Sequence, residues 1–153
     1  MKTRFVLMAA MISIALCGLF ASCEKDKNDS PSYSKEQLVG KWNADKMESD
    51  GETMPYSQYG EMYMIFRSDN SFSTYSHSFI DPESEPQELN GIWSISGSSI
   101  NLTVAGQTVP LPIKELSQNT MVLISKSQRR YNDGHIEETV AYLYLNRDET
   151  WHE

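Results

Sequence analysis

The chain has 153 residues, with 21 acidic and 13 basic side chains and a formal net charge of −8. That length fits one domain, and the acidic balance excludes nucleic acid and anionic lipid headgroups as partners, because like charges repel. The two cysteines are Cys17 and Cys23, so the chain beyond residue 23 has no disulfide, cysteine-ligated zinc site or thiol nucleophile.

The N-terminus has the layout of a secretory signal. A basic start precedes an uncharged apolar run from Phe5 to Phe20, which is shorter than the roughly 20 residues that span a bilayer. Small residues and Cys23 follow, and this junction resembles the lipobox of bacterial lipoproteins, which implies cleavage before Cys23 and its lipidation. We therefore predict a lipoprotein signal peptide over residues 1–22. An uncleaved anchor and plain secretion are the alternatives.

Residues 23–34 are predicted to be the lipidated cysteine and a flexible tether, because charges alternate there without apolar periodicity. Glu24, Asp26 and Asp29 resemble the export signals that carry lipoproteins of Bacteroidetes to the outer face of the outer membrane. We expect a lipid anchor in the outer membrane as the contact with the membrane, with the periplasmic and surface-exposed orientations both open. Without its leader the chain has 11 basic and 21 acidic side chains, a net charge of −10.

One all-β domain is predicted over residues 35–153. A helical turn begins it, with Ser34 and Gln37 placed to form a capping box. Eight strand candidates follow, separated by turn signals. They are residues 40–48, 60–67, 71–80, 90–96, 99–105, 107–114, 119–126 and 136–146. So many short strands with near-sequential turns predict an antiparallel up-and-down meander that curls into a barrel or a sandwich.

Two prolines add a prediction about how the sheet closes. Pro110 and Pro112 have equal parity in their strand, so both would direct their missing N–H groups toward the same neighbour. The strand therefore pairs well on one side only, and we expect incomplete closure near residues 107–114.

Two similar segments open predicted strands, Gly40-Lys41-Trp42 and Gly91-Ile92-Trp93. Three further segments, Ile65–Phe72, Ser94–Leu102 and Leu116–Leu123, accompany them in order. This succession resembles the lipocalin-like domain of small lipoproteins of Bacteroidetes, over roughly residues 36–147. It departs at Asn70, where the pattern usually has glycine, but asparagine tolerates positive φ.

The resemblance implies a calycin-type, eight-stranded antiparallel barrel with a cavity open at one end. It also implies that Trp42 plugs the closed end under a basic residue of the last strand, for which Arg147 is the candidate. Candidate cavity residues are Met62, Met64, Phe66, Phe72, Trp93, Leu102 and Leu143. A barrel of eight strands is just wide enough for its own side chains to fill it, so a filled core remains the alternative.

Catalytic and metal-binding motifs are missing from the sequence. His77, His135 and His152 share no close ligand spacing, and the acidic loop over residues 81–88 lacks the spacing of a calcium loop. We expect no enzyme activity, no metal and no cofactor. The predicted function is binding of a small apolar or amphipathic ligand by an envelope-anchored barrel. The alternative is a protein-interaction module, or an inhibitor of a basic enzyme, that the negative charge would attract.

Overall fold

The computed structural model describes residues 32–81, 83–130 and 134–153. The predicted signal peptide, Cys23 and the tether up to residue 31 lie outside the described residues. Two one-turn helices and nine strands are present among them. They are α1 (Lys35–Leu38), β1 (Gly40–Ser49), β2 (Glu52–Pro55), α2 (Tyr56–Tyr59), β3 (Gly60–Phe66), β4 (Ser71–Ser78), β5 (Gln87–Ser96), β6 (Ser99–Val104), β7 (Gln107–Leu116), β8 (Thr120–Arg130) and β9 (Ile136–Arg147).

The sheet is a closed antiparallel barrel of eight strands. Its order is β1-β3-β4-β5-β6-β7-β8-β9, and pairing of β1 with β9 closes the ring. The predicted up-and-down barrel and its eight strands are therefore confirmed. The ninth strand, β2, was not predicted; it pairs with the last four residues of β1 and forms an extension beside the ring. The capping box of α1 includes a bond from the Ser34 N–H to Gln37 Oε1, 2.8 Å long.

Two β-bulges change which residues face the interior. Trp42 and Ala44 face inward on β1, but the register shifts at Asp45, so that Met47 and Ser49 face inward beyond it. A second shift at Lys114 does the same on β7. Because side chains alternate along a strand, each extra residue exchanges the inner and outer faces beyond it.

Strand β7 has the uneven pairing that its prolines predict. Residues 107–112 pair with β6, whereas the ladder with β8 joins only Ile113, Glu115 and Leu116 to their partners. The Ile113 N–H donates to the Ser98 carbonyl at 2.7 Å, so Pro110 and Pro112, of opposite parity, face β8. The ring is nevertheless closed, so the expected incomplete closure near residues 107–114 is wrong. What the two prolines produce is a short seam between β7 and β8, because neither can donate an N–H group toward β8.

The two ends of the barrel differ. The N-terminal segment crosses one end, where the Tyr33 N–H donates to the Gly97 carbonyl at 3.2 Å and Leu38 is fully buried. This closed end also carries the β3–β4 turn, where Asn70 has the positive φ (70°) expected from the sequence. The β6–β7 turn, the end of β8 and the start of β9 lie at the opposite, open end. Residues 131–133, which include part of the predicted Asp133-Gly134 turn, lie outside the described residues.

Candidate functional site

Trp42 and Arg147 meet at the closed end of the barrel. Trp42 is fully buried, its indole N–H donates to the Leu38 carbonyl at 2.9 Å, and the Arg147 guanidinium carbon lies 4.2 Å from the centre of the ring. Arg147 also donates to the carbonyls of Val39 (2.6 Å), Gln37 (2.5 Å) and Gln118 (2.7 Å). Partial burial lowers the pKa of Arg147. Through these contacts the pair links β1, β9 and α1 at the closed end of the barrel.

The lower half of the interior is packed solid. Phe66, Phe72 and Trp93, three of the predicted cavity residues, are at most 3% exposed, and the rings of Phe66 and Trp93 are 5.2 Å apart. Met62 and Met64 are also buried. These five side chains belong to the core cluster that includes Trp42. Phe66 and Phe72 lie at the closed end, and Met64 and Met62 follow along β3 toward the open end.

Toward the open end, several inward-facing apolar side chains remain partly exposed. Leu102 and Leu143, the other two predicted cavity residues, face inward yet are only half-buried. Other apolar side chains with this property include Met47, Leu89, Val104, Val109 and Leu111. We refer to these inward-facing, partly exposed residues together as the cup; they lie nearer to the open end than the packed floor.

Hydroxyl groups also face this cup, and the sequence analysis missed them. Ser49 is 4% exposed and Thr74 is 7% exposed. Both point inward, since Ser49 pairs with Ala141 and Thr74 with Met64. The Ser49 Oγ has no hydrogen-bond partner within the described structure. A buried hydroxyl in that condition carries a desolvation cost.

A family model for the lipocalin-like domain matches residues 38–123, more than half of the chain. The chain belongs to the lipocalin-like domain family. No curated protein matches it in sequence. Proteins of this family are typically binding proteins rather than enzymes.

Several solved structures are similar to this lipocalin-like barrel. An uncharacterized protein from Bacteroides eggerthii is 13% identical, with a TM-score of 0.48 over 72% of this chain and 99% of that one. Bovine odorant binding protein, in complex with its natural ligand, is 12% identical, with a TM-score of 0.45 over 85% of this chain and 79% of that one. The bovine lipocalin allergen Bos d 2 is 14% identical, with a TM-score of 0.44 over 78% and 79%.

The rim of the lipocalin-like barrel is built partly by β2 and α2. Tyr56 packs against the core cluster, and burial raises the pKa of its hydroxyl. The Phe79 N–H donates to the Tyr59 carbonyl at 2.9 Å, which ties α2 to the end of β4. Phe79 and Ile80 themselves are more than half exposed, so the mouth has an apolar lip on this side.

On the outer surface of the barrel, lysine side chains make cation–π contacts with tyrosine rings. Lys46 Nζ lies 4.2 Å from the centre of the Tyr144 ring and 2.7 Å from Glu48 Oε1, and the Tyr144 hydroxyl donates to Glu48 Oε2 at 2.7 Å. The hydrogen bond between Lys46 and Glu48 raises the pKa of Lys46. The same bond, together with the bond from the Tyr144 hydroxyl, lowers the pKa of Glu48. Lys41 sits likewise over Tyr63, at 4.6 Å. These cations are engaged outside the cup.

A groove of about 350 Å³ lies outside the barrel, beside the closed end. Its walls come from Val39, Gly40, Arg147 and most of the C-terminal segment, namely residues 148, 149 and 151–153. The Arg147 guanidinium in this groove already donates hydrogen bonds to three carbonyls, so it is not available to bind a ligand there. Across the described ranges no three histidine, cysteine or carboxylate side chains gather as metal ligands. The helices described there are too short to cross a membrane.

Proposed function

We propose that the protein is an envelope-anchored lipoprotein whose barrel binds a small apolar or amphipathic molecule. The observation that carries the binding role is the cup, in which inward-facing apolar side chains remain half-buried above a fully packed floor. A concave, largely apolar site with a few polar groups is the usual form of a small-molecule pocket. The family match supports the same role.

Displacement of a fluorescent apolar probe, N-phenyl-1-naphthylamine, tests the binding role. The chain beginning at residue 23, with Cys23→Ser to prevent lipidation, is expected to enhance the fluorescence of the probe with saturation at one site. Leu143→Glu places a charge on the wall of the cup and is expected to abolish this enhancement. Val140→Glu changes the outer face of the same strand and is the matched control. A probe signal that Leu143→Glu leaves unchanged would refute binding in the cup.

The anchor is proposed from the leader and Cys23. An apolar run followed by small residues and a cysteine supports acylation at that thiol, and the acidic residues that follow support export to the cell surface. Expression of the full chain with radiolabelled palmitate is expected to give a labelled, membrane-associated protein. Cys23→Ala is expected to lose the label, whereas Cys17→Ala is expected to keep it.

A further inference from the structure

The outer surface of the barrel places lysines on tyrosine rings in more than one position. Lys46 Nζ lies 4.2 Å from the centre of the Tyr144 ring and 2.7 Å from Glu48 Oε1. Lys114 Nζ lies 4.3 Å from the centre of the Tyr142 ring. The face of an aromatic ring attracts an ammonium group, and a carboxylate beside the ring adds a charge-assisted hydrogen bond. These contacts show which surroundings accept a basic side chain on this barrel.

Strands β3, β4 and β5 build similar surroundings around Tyr75. The Tyr63 and Tyr75 rings stack with their centres 5.0 Å apart and their planes 10° apart, and Lys41 Nζ lies 4.6 Å from the centre of the Tyr63 ring. Because β3 lies between β1 and β4, Lys41 and Tyr75 lie on opposite sides of the Tyr63 ring. The other side of the Tyr75 ring is directed toward β5, where Glu88 is its cross-strand partner.

Two carboxylates flank Tyr75 without a partner among the described residues. Glu61 is on β3, opposite His77, and Glu88 is on β5. Both side chains are exposed, and neither belongs to a salt bridge within the described ranges. A cation placed between Tyr75 and Glu88 would reproduce the contacts of a lysine with a ring and a carboxylate.

The described cations of β1 and of the end of β3 have partners elsewhere. Lys41 Nζ lies 3.2 Å from Asp148 Oδ2, and Arg67 Nη1 donates to Ser73 Oγ at 2.9 Å, nearer to the closed end. Residues 129–130, the two arginines of β8, are four strands from β4 in either direction around the eight-strand ring. The outer face of β4 is therefore beyond their reach.

The segment before the barrel is a poor match for this position. Residues 24–29 contain two lysines and three carboxylates, a net charge of 2 − 3 = −1. An acidic face repels a segment with a negative net charge. The basic group that fits beside Tyr75 is therefore expected from another molecule.

Exposed apolar side chains extend the same surface. Phe79 is 54% exposed and meets the His77 ring edge-on at 5.6 Å, and Ile92 is 60% exposed on β5. Aromatic and apolar side chains with carboxylates beside them are complementary to a protein surface that carries basic residues. The outer side chains of this surface, here called the β4 face, are Glu61, Tyr75, His77, Phe79, Glu88 and Ile92.

We propose that the β4 face is a docking surface for a basic segment of a partner protein. A lysine or arginine of the partner lies on the Tyr75 ring beside Glu88, as Lys46 lies on Tyr144 beside Glu48. This inference is independent of ligand binding in the cup, because the β4 face is on the outside of the barrel.

An NMR titration with an octalysine peptide tests the proposal. The chain beginning at residue 23, with Cys23→Ser, is titrated in about 0.15 M salt, where charges more than about 8 Å apart are largely screened. The largest shift changes are expected for the amides of Glu61, Tyr75, His77 and Glu88. The same peptide with acetylated side chains has no lysine charges and is expected to leave these signals unchanged. Absent shift changes, or changes spread evenly over the acidic surface, would overturn the proposal.

Two substitutions separate the β4 face from general attraction to an acidic protein. Tyr75→Leu and Glu88→Gln are each expected to weaken octalysine binding by about two- to fivefold, the effect of one cation–π contact or one exposed ion pair. Tyr142→Leu, whose ring already carries Lys114, and Glu52→Gln, exposed on β2, are the matched controls and are expected to keep the parent affinity. If Glu88→Gln and Glu52→Gln weaken binding equally, the assignment to the β4 face is wrong. Parent-like amide positions away from each substitution confirm that the variant is folded.

A double substitution, Lys25→Gln with Lys27→Gln, tests whether the chain fills this position itself. In the peptide-free protein the amide signals of Tyr75 and Glu88 are expected to stay where they are in the parent. A shift of both signals would assign the β4 face to the protein's own N-terminal segment and would overturn docking of a partner.

Discussion

Asp148 is held in its ionised form by neighbours at the closed end. The Thr150 hydroxyl donates to its Oδ1 at 2.6 Å and the Thr150 N–H at 3.1 Å, and Lys41 Nζ lies 3.2 Å from its Oδ2. These contacts lower the pKa of Asp148 to about 2, from an ordinary value of 3.8. Because the folded state favours the carboxylate, this stabilisation is fully present above about pH 4 and is lost as the pH falls toward 2.

Acid titration therefore has a predicted signature at this residue. An NMR titration of the Asp148 carboxyl is expected to give a midpoint near pH 2, and Thr150→Ala is expected to raise it. In urea unfolding, Asp148→Asn should lose less stability than the parent protein between about pH 4 and pH 2. Ser94→Ala, on the exposed outer face of β5, is the control and should keep the parent pH dependence. A midpoint at the ordinary value for aspartate would contradict the assignment.

Single residues also mark the limit of what the sequence predicts about the site. Trp42 and Arg147 were proposed as a pair, and they lie together. Ser49 was missed for a physical reason: simple alternation from Trp42 places it on the outer face, and only the bulge at Asp45 turns it inward. The sequence of β1 has no glycine or proline at that position to signal the bulge. The aromatic and methionine residues predicted to line the cavity are instead buried in the core cluster.

At the scale of elements, periodicity predicted the strands well because each barrel strand has a packed inner face and a solvated outer face. Pro110 and Pro112 predicted the short β7–β8 seam, since a missing N–H group is a property of the residue itself. Periodicity did not predict β2 and α2. Each has only four residues, too few for a pattern. The signal that could have located β2 is Asp50-Gly51, which has positive φ at both residues and joins β1 to β2 as a hairpin.

The glycines of the two Gly-x-Trp segments are explained by close packing between elements. A Cβ on Gly40 would lie 2.6 Å from Arg147 Nη1. A Cβ on Gly91 would lie 2.3 Å from the Thr103 carbonyl oxygen and 2.7 Å from a ring carbon of Phe72. The motif therefore places a tryptophan in the core and, two residues before it, lets a neighbouring element approach the backbone.

Gly91→Ala is expected to destabilise the barrel, because the backbone of β6 and the ring of Phe72 must both move. We expect a loss of about 2–3 kcal/mol in the free energy of unfolding, in the range for overpacking a core. Urea denaturation followed by tryptophan fluorescence measures it. Ser94→Ala, in the same strand but exposed, should change stability by no more than about 0.5 kcal/mol. If Gly91→Ala is as stable as the parent, the backbone of β6 can move away from the added methyl group without a loss in the free energy of unfolding, which would contradict this prediction.

At the scale of the whole molecule, the position of the N-terminal segment indicates which end of the barrel would lie nearer to the membrane under the proposed anchor. The described chain enters at the closed end, where the Tyr33 N–H bonds to the Gly97 carbonyl, and the cup opens at the other end. Eight residues separate Cys23 from Ser32, and even full extension at about 3.3–3.6 Å per residue spans only about 30 Å. The strands of the barrel are up to 12 residues long, so with their usual tilt they give a height of about 25 Å or more. A mouth turned toward the anchoring bilayer would therefore need an almost fully extended connection.

Lipidated protein in nanodiscs is accordingly expected to present its mouth to the aqueous side. With gadolinium chelates on the lipid headgroups, NMR signals of amides in the closed-end turns over residues 67–70 and 117–119 should broaden strongly. Those of the open-end turns over residues 50–51 and 105–106 should remain sharp. The Cys23→Ser protein added to the same nanodiscs is the control, and its signals should show no strong broadening at either end. Stronger broadening at the open-end turns would reverse the orientation, and the ligand would then exchange with the anchoring bilayer instead of with the aqueous compartment that the mouth faces.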